Sequence, residues 1–139
     1  MFAALDISAS ALVAQRLRLT TISGNLANMM TTRNELGEPE PYQPRFVVFQ
    51  VDPSVGAFGA SGVRVAGIER DPVEPIYKYE PNHPDAIKTG PYAGFVAYPN
   101  INMMTEFTDA LLAARAYEAN LGAIEITKDM TQQTLRILA

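Results

Sequence analysis

The placement of proline constrains this chain of 139 residues more than any other feature of its sequence. All ten prolines lie between Pro39 and Pro99, and the two flanking segments, 1–38 and 100–139, contain none. Proline inside a helix removes a hydrogen bond and clashes with the preceding turn, so long helices are possible only in the flanks. The sequence therefore predicts an N-terminal helix with its connector (1–38), a small middle domain (39–99) and a C-terminal helix (100–139).

The N-terminal flank carries leucine at every seventh position. These residues are Leu5, Leu12, Leu19 and Leu26. Their spacing predicts a helix from about Asp6 to Thr31 with one narrow apolar stripe, and Asp6 or Ser8 is the candidate N-cap. A helix with a single apolar stripe needs a partner to cover it.

The C-terminal flank supplies a second apolar stripe, with intervals of mostly three, four or seven residues. It includes Leu111, Leu121, Ile124 and Leu135. Asn102 is the candidate N-cap, and Glu106 and Arg136 suit the two ends of the helix dipole. The two helices are predicted to pair as an antiparallel coiled coil or to dock onto neighbouring copies, while coverage of a small internal core stays an open alternative. Apolar residues off the stripes, such as Val13 and Ile126, indicate an interaction site.

The middle domain contains four short runs rich in β-branched and aromatic residues, which predict strands. They are 42–51, the run around Val63 and Val65, 76–79 and 92–98. Prolines flank or separate these runs. The predicted fold class is therefore α+β, with long N- and C-terminal helices pairing as a coiled coil and a small β-rich insertion in the middle.

Charge and residue types exclude several classes of function. The chain has 11 basic and 15 acidic residues, and none of the three regions has a basic excess, so we expect no nucleic-acid partner. Cysteine is absent, which excludes disulfides, thiolate zinc sites and cysteine nucleophiles. No stretch approaches the ~18 apolar residues of a membrane helix, and the N-terminus lacks the basic start of a cleavable signal peptide. We therefore expect no membrane insertion.

The single histidine, His83, is the residue most suited to acid–base chemistry, because Asp85 lies two positions away. Prolines on both sides and the lack of a second histidine favour a role in a turn. The glycines at 56–62 favour a flexible loop over a phosphate site, since a strand and not a helix follows them. We expect no catalytic, metal-binding or cofactor-binding residue. A monomeric binding module, or a small hydrolase that uses His83 with Asp85, is the alternative.

Four strings of residues carry a resemblance to a known family. They are ISGNLAN at 22–28, YEPNHPDA at 79–86, YPNIN at 98–102 and RAYEAN at 115–120. The first resembles the N-terminal signature of flagellar rod and hook proteins. Together they resemble the FlgC-type proximal rod proteins of the bacterial flagellar basal body. The stretch GPYAGF at 90–95 departs from the family's usual glycine–aromatic step.

The resemblance implies a structural subunit that assembles helically into the rod, the torque-transmitting shaft and export channel across the periplasm. The implied partners are copies of the chain itself, other proximal and distal rod proteins, the rod-to-MS-ring adaptor and the flagellar type III export apparatus. It also implies export without a cleavable signal peptide. Another rod-family subunit stays an open alternative.

The two leucine stripes are the predicted contact between the helices of one subunit. Asn25 and Asn28 are predicted to form side-chain hydrogen bonds between subunits that fix their register, with capping of the helix end by Asn28 as the alternative. Arg115, Tyr117 and Asn120 are further candidates, from their place in the motif. The full set of predicted interface residues is Leu5, Leu12, Leu19, Asn25, Leu26, Asn28, Leu111, Arg115, Tyr117, Asn120, Leu121, Ile124 and Leu135.

Overall fold

A computed structural model describes residues 2–138 and contains two long helices and four short strands. Their order is α1 (Phe2–Ala27), β1 (Arg45–Asp52), β2 (Gly62–Arg70), β3 (Ile76–Tyr79), β4 (Phe95–Tyr98) and α2 (Met103–Leu138). Both helices lie in the proline-free flanks, and all four strands lie in the proline-rich middle. The predicted α+β fold class is confirmed, whereas the exact domain boundaries stay a prediction.

The first helix begins and ends earlier than predicted. Asp6 and Ser8 lie inside α1, so the predicted N-cap is wrong. At the other end, the backbone N–H and the side-chain Nδ2 of Asn28 both donate to the carbonyl of Gly24, at 3.1 and 2.9 Å. The N–H of Thr31 then bonds the carbonyl of Asn28 at 3.0 Å. These local bonds satisfy the end of the helix and turn the chain before Thr31.

The second helix begins as predicted. The Oδ1 atom of Asn102 accepts the backbone N–H groups of Met104 at 3.0 Å and Thr105 at 3.3 Å. Asn102 is therefore the N-cap of α2. Glu106 lies in the first turn and Arg136 in the last, where their charges complement the helix dipole.

The two helices pack antiparallel to each other. The guanidinium of Arg18 lies 3.6 Å from the carboxylate of Asp109, and Nδ2 of Asn25 lies 3.3 Å from that of Glu106. The deepest apolar positions in the pair are small, since Ala14 and Ala113 are 2% and 0% exposed. Small side chains at a contact allow two helix backbones to approach closely.

The leucines lie differently from the prediction. The four stripe leucines of α1 are only partly buried. In α2, Leu111, Leu121 and Leu135 are 52%, 42% and 62% exposed. The helices pair as predicted, but the most deeply buried apolar position of α2 is Ala113, and its C-terminal leucines are largely exposed.

The first hairpin packs along α1. Strands β1 and β2 are antiparallel, with a bulge between Val48 and Phe49. In α1, Ser10 Oγ accepts the backbone N–H of Val63 at 3.1 Å. Gly62 permits this approach, because a Cβ there would lie 2.8 Å from that oxygen. The glycine-rich stretch 56–62 therefore forms the hairpin loop and the first residue of β2.

The second strand pair lies apart from the helix contact. Strands β3 and β4 are antiparallel, with Val96 and Tyr98 buried on one face and Tyr77 and Tyr79 exposed on the other. Helix α1 contacts α2, β1 and β2, whereas α2 contacts only α1 among these elements. Helix α1 is therefore the central element, and α2 is covered on one side only.

We expect Ala113→Leu to lower the free energy of unfolding by about 1–3 kcal/mol, because a larger side chain has no room at this fully buried position. Ala119→Leu is the matched control at an exposed position of α2, with an expected change below about 0.5 kcal/mol. Urea unfolding followed by circular dichroism measures both. Equal effects would contradict a close helix contact at Ala113.

Candidate functional site

Asn25 is a polar side chain buried where four parts of the chain meet. It is 2% exposed and lies near the end of α1. Its Nδ2 donates to the carbonyl of Arg45 at 2.8 Å and to the carboxylate of Glu106 at 3.3 Å. Its Oδ1 accepts the N–H of Arg45 at 2.9 Å and the hydroxyl of Tyr42 at 3.2 Å. One amide therefore joins α1 to the connector, to β1 and to α2. We call these four residues the Asn25 junction.

Glu106 is the acidic group of the Asn25 junction. Burial raises the pKa of its carboxyl above the ordinary value of 4.5. The hydrogen bond from Asn25 lowers this pKa, and the nearby charge of Asp109 raises it. Because the net pKa is raised, the ionised carboxylate is less favourable in the folded chain than in the unfolded chain.

Both asparagines form side-chain hydrogen bonds within the chain, Asn25 as described and Asn28 to the carbonyl of Gly24. Hydrogen bonds from either asparagine to another subunit stay a prediction. Asn28 also accepts the hydroxyl of Thr31 at 3.1 Å, so it has the helix-end role that was the alternative. A signal for Asn25 exists in the sequence. It follows Ile22 by three residues, so a polar amide falls on the buried side of α1.

The turn around His83 connects β3–β4 to the connector that follows α1. The N–H of Asp85 donates to Nδ1 of His83 at 3.1 Å, as expected for a residue that stabilises a turn. The carboxylate of Asp85 accepts the hydroxyl of Thr32 at 2.8 Å and Nε of Arg33 at 2.6 Å. The bond from Thr32, followed by those from Arg33, holds the pKa of Asp85 below its ordinary value of 3.8. The clefts beside Tyr42, one lined by Pro41, Val73 and Pro99 and one by Gly24, Asn28 and Arg70, include neither His83 nor Asp85.

Within residues 2–138, no three histidine or acidic side chains come together in a group suited to a metal ion. In the same range, neither helix combines the length and the apolar character needed to cross a membrane.

Large apolar side chains are exposed along most of α2. Because α2 packs only on α1 among the helices and strands, its remaining faces are open. The exposed residues include Met104, Phe107, Leu111, Leu112, Leu121, Ile126, Met130, Leu135 and Ile137. Apolar surface of this extent on a folded chain marks an interaction site. This surface, which we call the open face of α2, is the candidate functional site.

Apart from Asn25 and Asn28, the predicted interface residues divide into two groups in the structure. Leu111, Arg115, Leu121 and Leu135 are exposed and accessible to another molecule. The partly buried group comprises Leu5, Leu12, Leu19, Leu26, Tyr117, Asn120 and Ile124. Among these, Nδ2 of Asn120 donates to the carbonyl of Ala116 at 2.8 Å. Contact of either group with another subunit stays a prediction.

Comparison with known proteins finds similarity along nearly the whole chain. Residues 5–33 match a family described as flagella basal body rod protein, and residues 92–137 match one described as flagellar basal body rod FlgEFG protein C-terminal. The flagellar basal-body rod protein FlgC of Borreliella burgdorferi is 38% identical, over 99% of this chain and 97% of its own length. FlgC of Bacillus subtilis is 36% identical (98% and 97%), and FlgC of Salmonella typhimurium is 35% identical (95% and 93%).

We expect Asn25→Ala to lower the free energy of unfolding by about 1–3 kcal/mol, because it removes the hydrogen bonds to the partly buried N–H and carbonyl of Arg45. Asn28→Ala is the control on the same helix end, and its mostly local bonds predict a loss of about 1 kcal/mol or less. Urea unfolding at neutral pH measures the difference. Similar losses for both variants would show that the Asn25 junction contributes no more to stability than the local bonds of Asn28.

A second prediction concerns pH. The raised pKa of Glu106 means that the folded chain binds this proton more tightly than the unfolded chain does. Its contribution to stability is therefore complete below pH 4.5 and is lost as the pH rises through the folded-state pKa. We expect Glu106→Gln to gain stability relative to the unsubstituted chain between pH 4 and pH 7. Unfolding curves at the two pH values measure this, with the exposed Glu118→Gln as the control for charge loss. A stability difference that does not change with pH would contradict the prediction.

Proposed function

This chain belongs to the family of FlgC-type flagellar basal-body rod proteins and is a structural subunit of the rod, and we propose that its helices join those of neighbouring subunits in a helical tube. The open face of α2 is the observation that supports this proposal most directly. Within one chain, α2 has a partner on one side only. Burial of apolar surface against other subunits contributes about 25 cal/mol per Å², which favours assembly.

We propose further that this tube is the proximal part of the rod, transmits torque and encloses an export channel across the periplasm. A shaft passes load between subunits only if each subunit resists internal bending. The Asn25 junction supports such stiffness, because it ties both helices and the first hairpin together at one point. The proposed partners are copies of this chain, other proximal and distal rod proteins and the rod-to-MS-ring adaptor.

The proposed route to the rod is export by the flagellar type III apparatus, without a cleavable signal peptide. A chain that passes unfolded through a narrow channel must carry no covalent cross-link. The absence of cysteine is compatible with that route, because no disulfide has to be reduced first. The proposed location is the flagellar basal body, in the part of the rod that spans the periplasm.

We propose no catalytic role and no cofactor for this chain. The similar proteins carry the names of basal-body rod proteins. His83, the residue most suited to acid–base chemistry, has its Nδ1 atom engaged by the backbone of its own turn. The hydrolase alternative therefore has no structural observation in its favour.

Leu111→Asp tests the proposed role of the open face of α2. Because Leu111 is largely exposed in the single chain, we expect the purified variant to unfold within about 0.5 kcal/mol of the unsubstituted chain. In a bacterium that lacks its own copy of the gene, we expect the variant to restore neither swimming nor rods in isolated basal bodies, because a charge would be buried in an apolar contact.

Thr105→Asp is the control for this experiment. It adds the same charge to an exposed polar position in the first turn of α2, where a negative charge suits the helix dipole. We expect normal rods from this control. Normal rods from Leu111→Asp would mean that the open face of α2 is not an assembly surface.

A further inference from the structure

Two arginines face each other across the end of the first hairpin without an acidic partner. Arg45 and Arg70 are direct partners in the register of β1 and β2. Like charges directly opposite each other destabilise a strand pair. Within the part of the chain that the structure describes, neither guanidinium forms an ion pair. Folding of the single chain therefore gives no reason for this pair.

Arg45 is held in place by its neighbours, and its strand partner Arg70 lies opposite it. Asn25 binds both the N–H and the carbonyl of Arg45, and the guanidinium of Arg45 lies 5.8 Å from the centre of the Tyr42 ring. Arg45 and Arg70 line a cleft of about 610 Å³ beside the end of α1. The pair, which we call the arginine pair, is therefore held at a cleft with room for a partner.

The other charged residues that line this cleft form no ion pair with Arg45 or Arg70, so both guanidinium groups can bind an anionic partner. Arg33 also lines the cleft, but its Nε donates to Asp85 at 2.6 Å. Of the two lining acids, Glu40 accepts Nδ2 of Asn34 at 3.0 Å, and Glu35 forms no ion pair with the arginines. An anionic partner for the arginine pair must therefore come from elsewhere.

Carboxylates with matching spacing lie near the far end of α2. Glu125 and Asp129 are one turn apart and exposed, and within residues 2–138 neither forms an ion pair. Residues four apart on a helix have Cβ atoms about 5–6 Å apart, and direct partners in an antiparallel strand pair about 4.5–5.5 Å apart. The arginine pair and this acidic pair are opposite in charge and similar in spacing.

The two pairs lie at opposite ends of one subunit. Glu106 contacts Asn25 beside the arginine pair, whereas Asp129 lies 23 residues further along α2, or roughly 35 Å at about 1.5 Å per residue. They cannot meet within one chain. Complementary groups at opposite ends of a subunit produce a head-to-tail contact, which generates a ring when its rotation closes and an open helical assembly when it does not.

We propose that Arg45 and Arg70 of one copy bind Glu125 and Asp129 of a second copy in the assembled rod. This inference rests on the proposed assembly function. It adds one specific contact and the relative orientation of the two copies, neither of which follows from the open face of α2. The contact relieves the repulsion within the arginine pair, so its formation is coupled to assembly and not to folding of the single chain.

Arg70→Glu separates this contact from folding. In the single chain it converts a like-charge pair into an opposite-charge pair, so we expect the midpoint of urea unfolding to stay the same or rise. In the bacterium we expect at least tenfold fewer rods per cell. Arg64→Glu is the matched control, with the same charge change at an exposed position of the same strand, and we expect normal rods from it.

Adding Asp129→Arg to the Arg70→Glu chain restores opposite charges across the contact, and we expect rods to return. Normal rods from Arg70→Glu alone would overturn the inference, as would failure of the second substitution to restore them. Either result leaves the proposed function intact, because that function is tested separately by Leu111→Asp.

Cross-linking tests the contact between Arg70 and Asp129 directly, without reversing the charge of either residue. Because the chain has no cysteine, an engineered pair reports on one contact only. We expect a covalent dimer in isolated rods when copies with Arg70→Cys are expressed together with copies with Asp129→Cys and treated with a short bismaleimide, because the side chains of an Arg–Asp ion pair hold the two Cα atoms farther apart than the about 7 Å that a disulfide spans. Thr134→Cys, an exposed position on another side of α2, replaces Asp129→Cys in the control. No dimer from the test pair, or equal dimer from the control pair, would overturn the inference.

Discussion

The amide of Asn25 is the interaction on which the rest of the structure depends. A buried amide is costly unless its donors and acceptor are all engaged, and here they bind the backbone of Arg45, the hydroxyl of Tyr42 and the carboxylate of Glu106. These groups come from the connector, from β1 and from α2. Because these bonds reach three different elements at once, this amide ties the position of the hairpin on α1 to the register of the helix pair.

In that placement, the two helices are covered to different extents by the rest of the chain. Helix α1 is covered by the first hairpin and by α2, whereas α2 is covered by α1 alone. The single chain therefore leaves many large apolar side chains of α2 in water. A chain of this size buries only a moderate share of its surface by itself, and in the proposed assembly a subunit would bury more apolar surface against its neighbours. The feature that would be unfavourable in an isolated protein is what suits this one to assembly.

Much of the fold could be predicted from local sequence, and the failures have identifiable causes. Proline placement located the helices and strands, and Asn102 could be recognised as an N-cap because capping involves only the next three residues. The end of α1 was misplaced because Asn28 bonds back to Gly24 and competes with continuation of the helix. The C-terminal leucines were assigned to the helix pair because a heptad pattern does not distinguish a partner in the same chain from one in another chain.

The sequence by itself determined where this chain can be helical and where it cannot, because proline and capping residues act on backbone within a few positions of themselves. Only the tertiary structure decided which side of each helix is used and what the buried Asn25 binds. Its partners lie 20 residues away at Arg45 and 81 residues away at Glu106. Contacts at such separations depend on how helices and strands pack in space, since only packing brings these groups out of water and within hydrogen-bonding distance of each other.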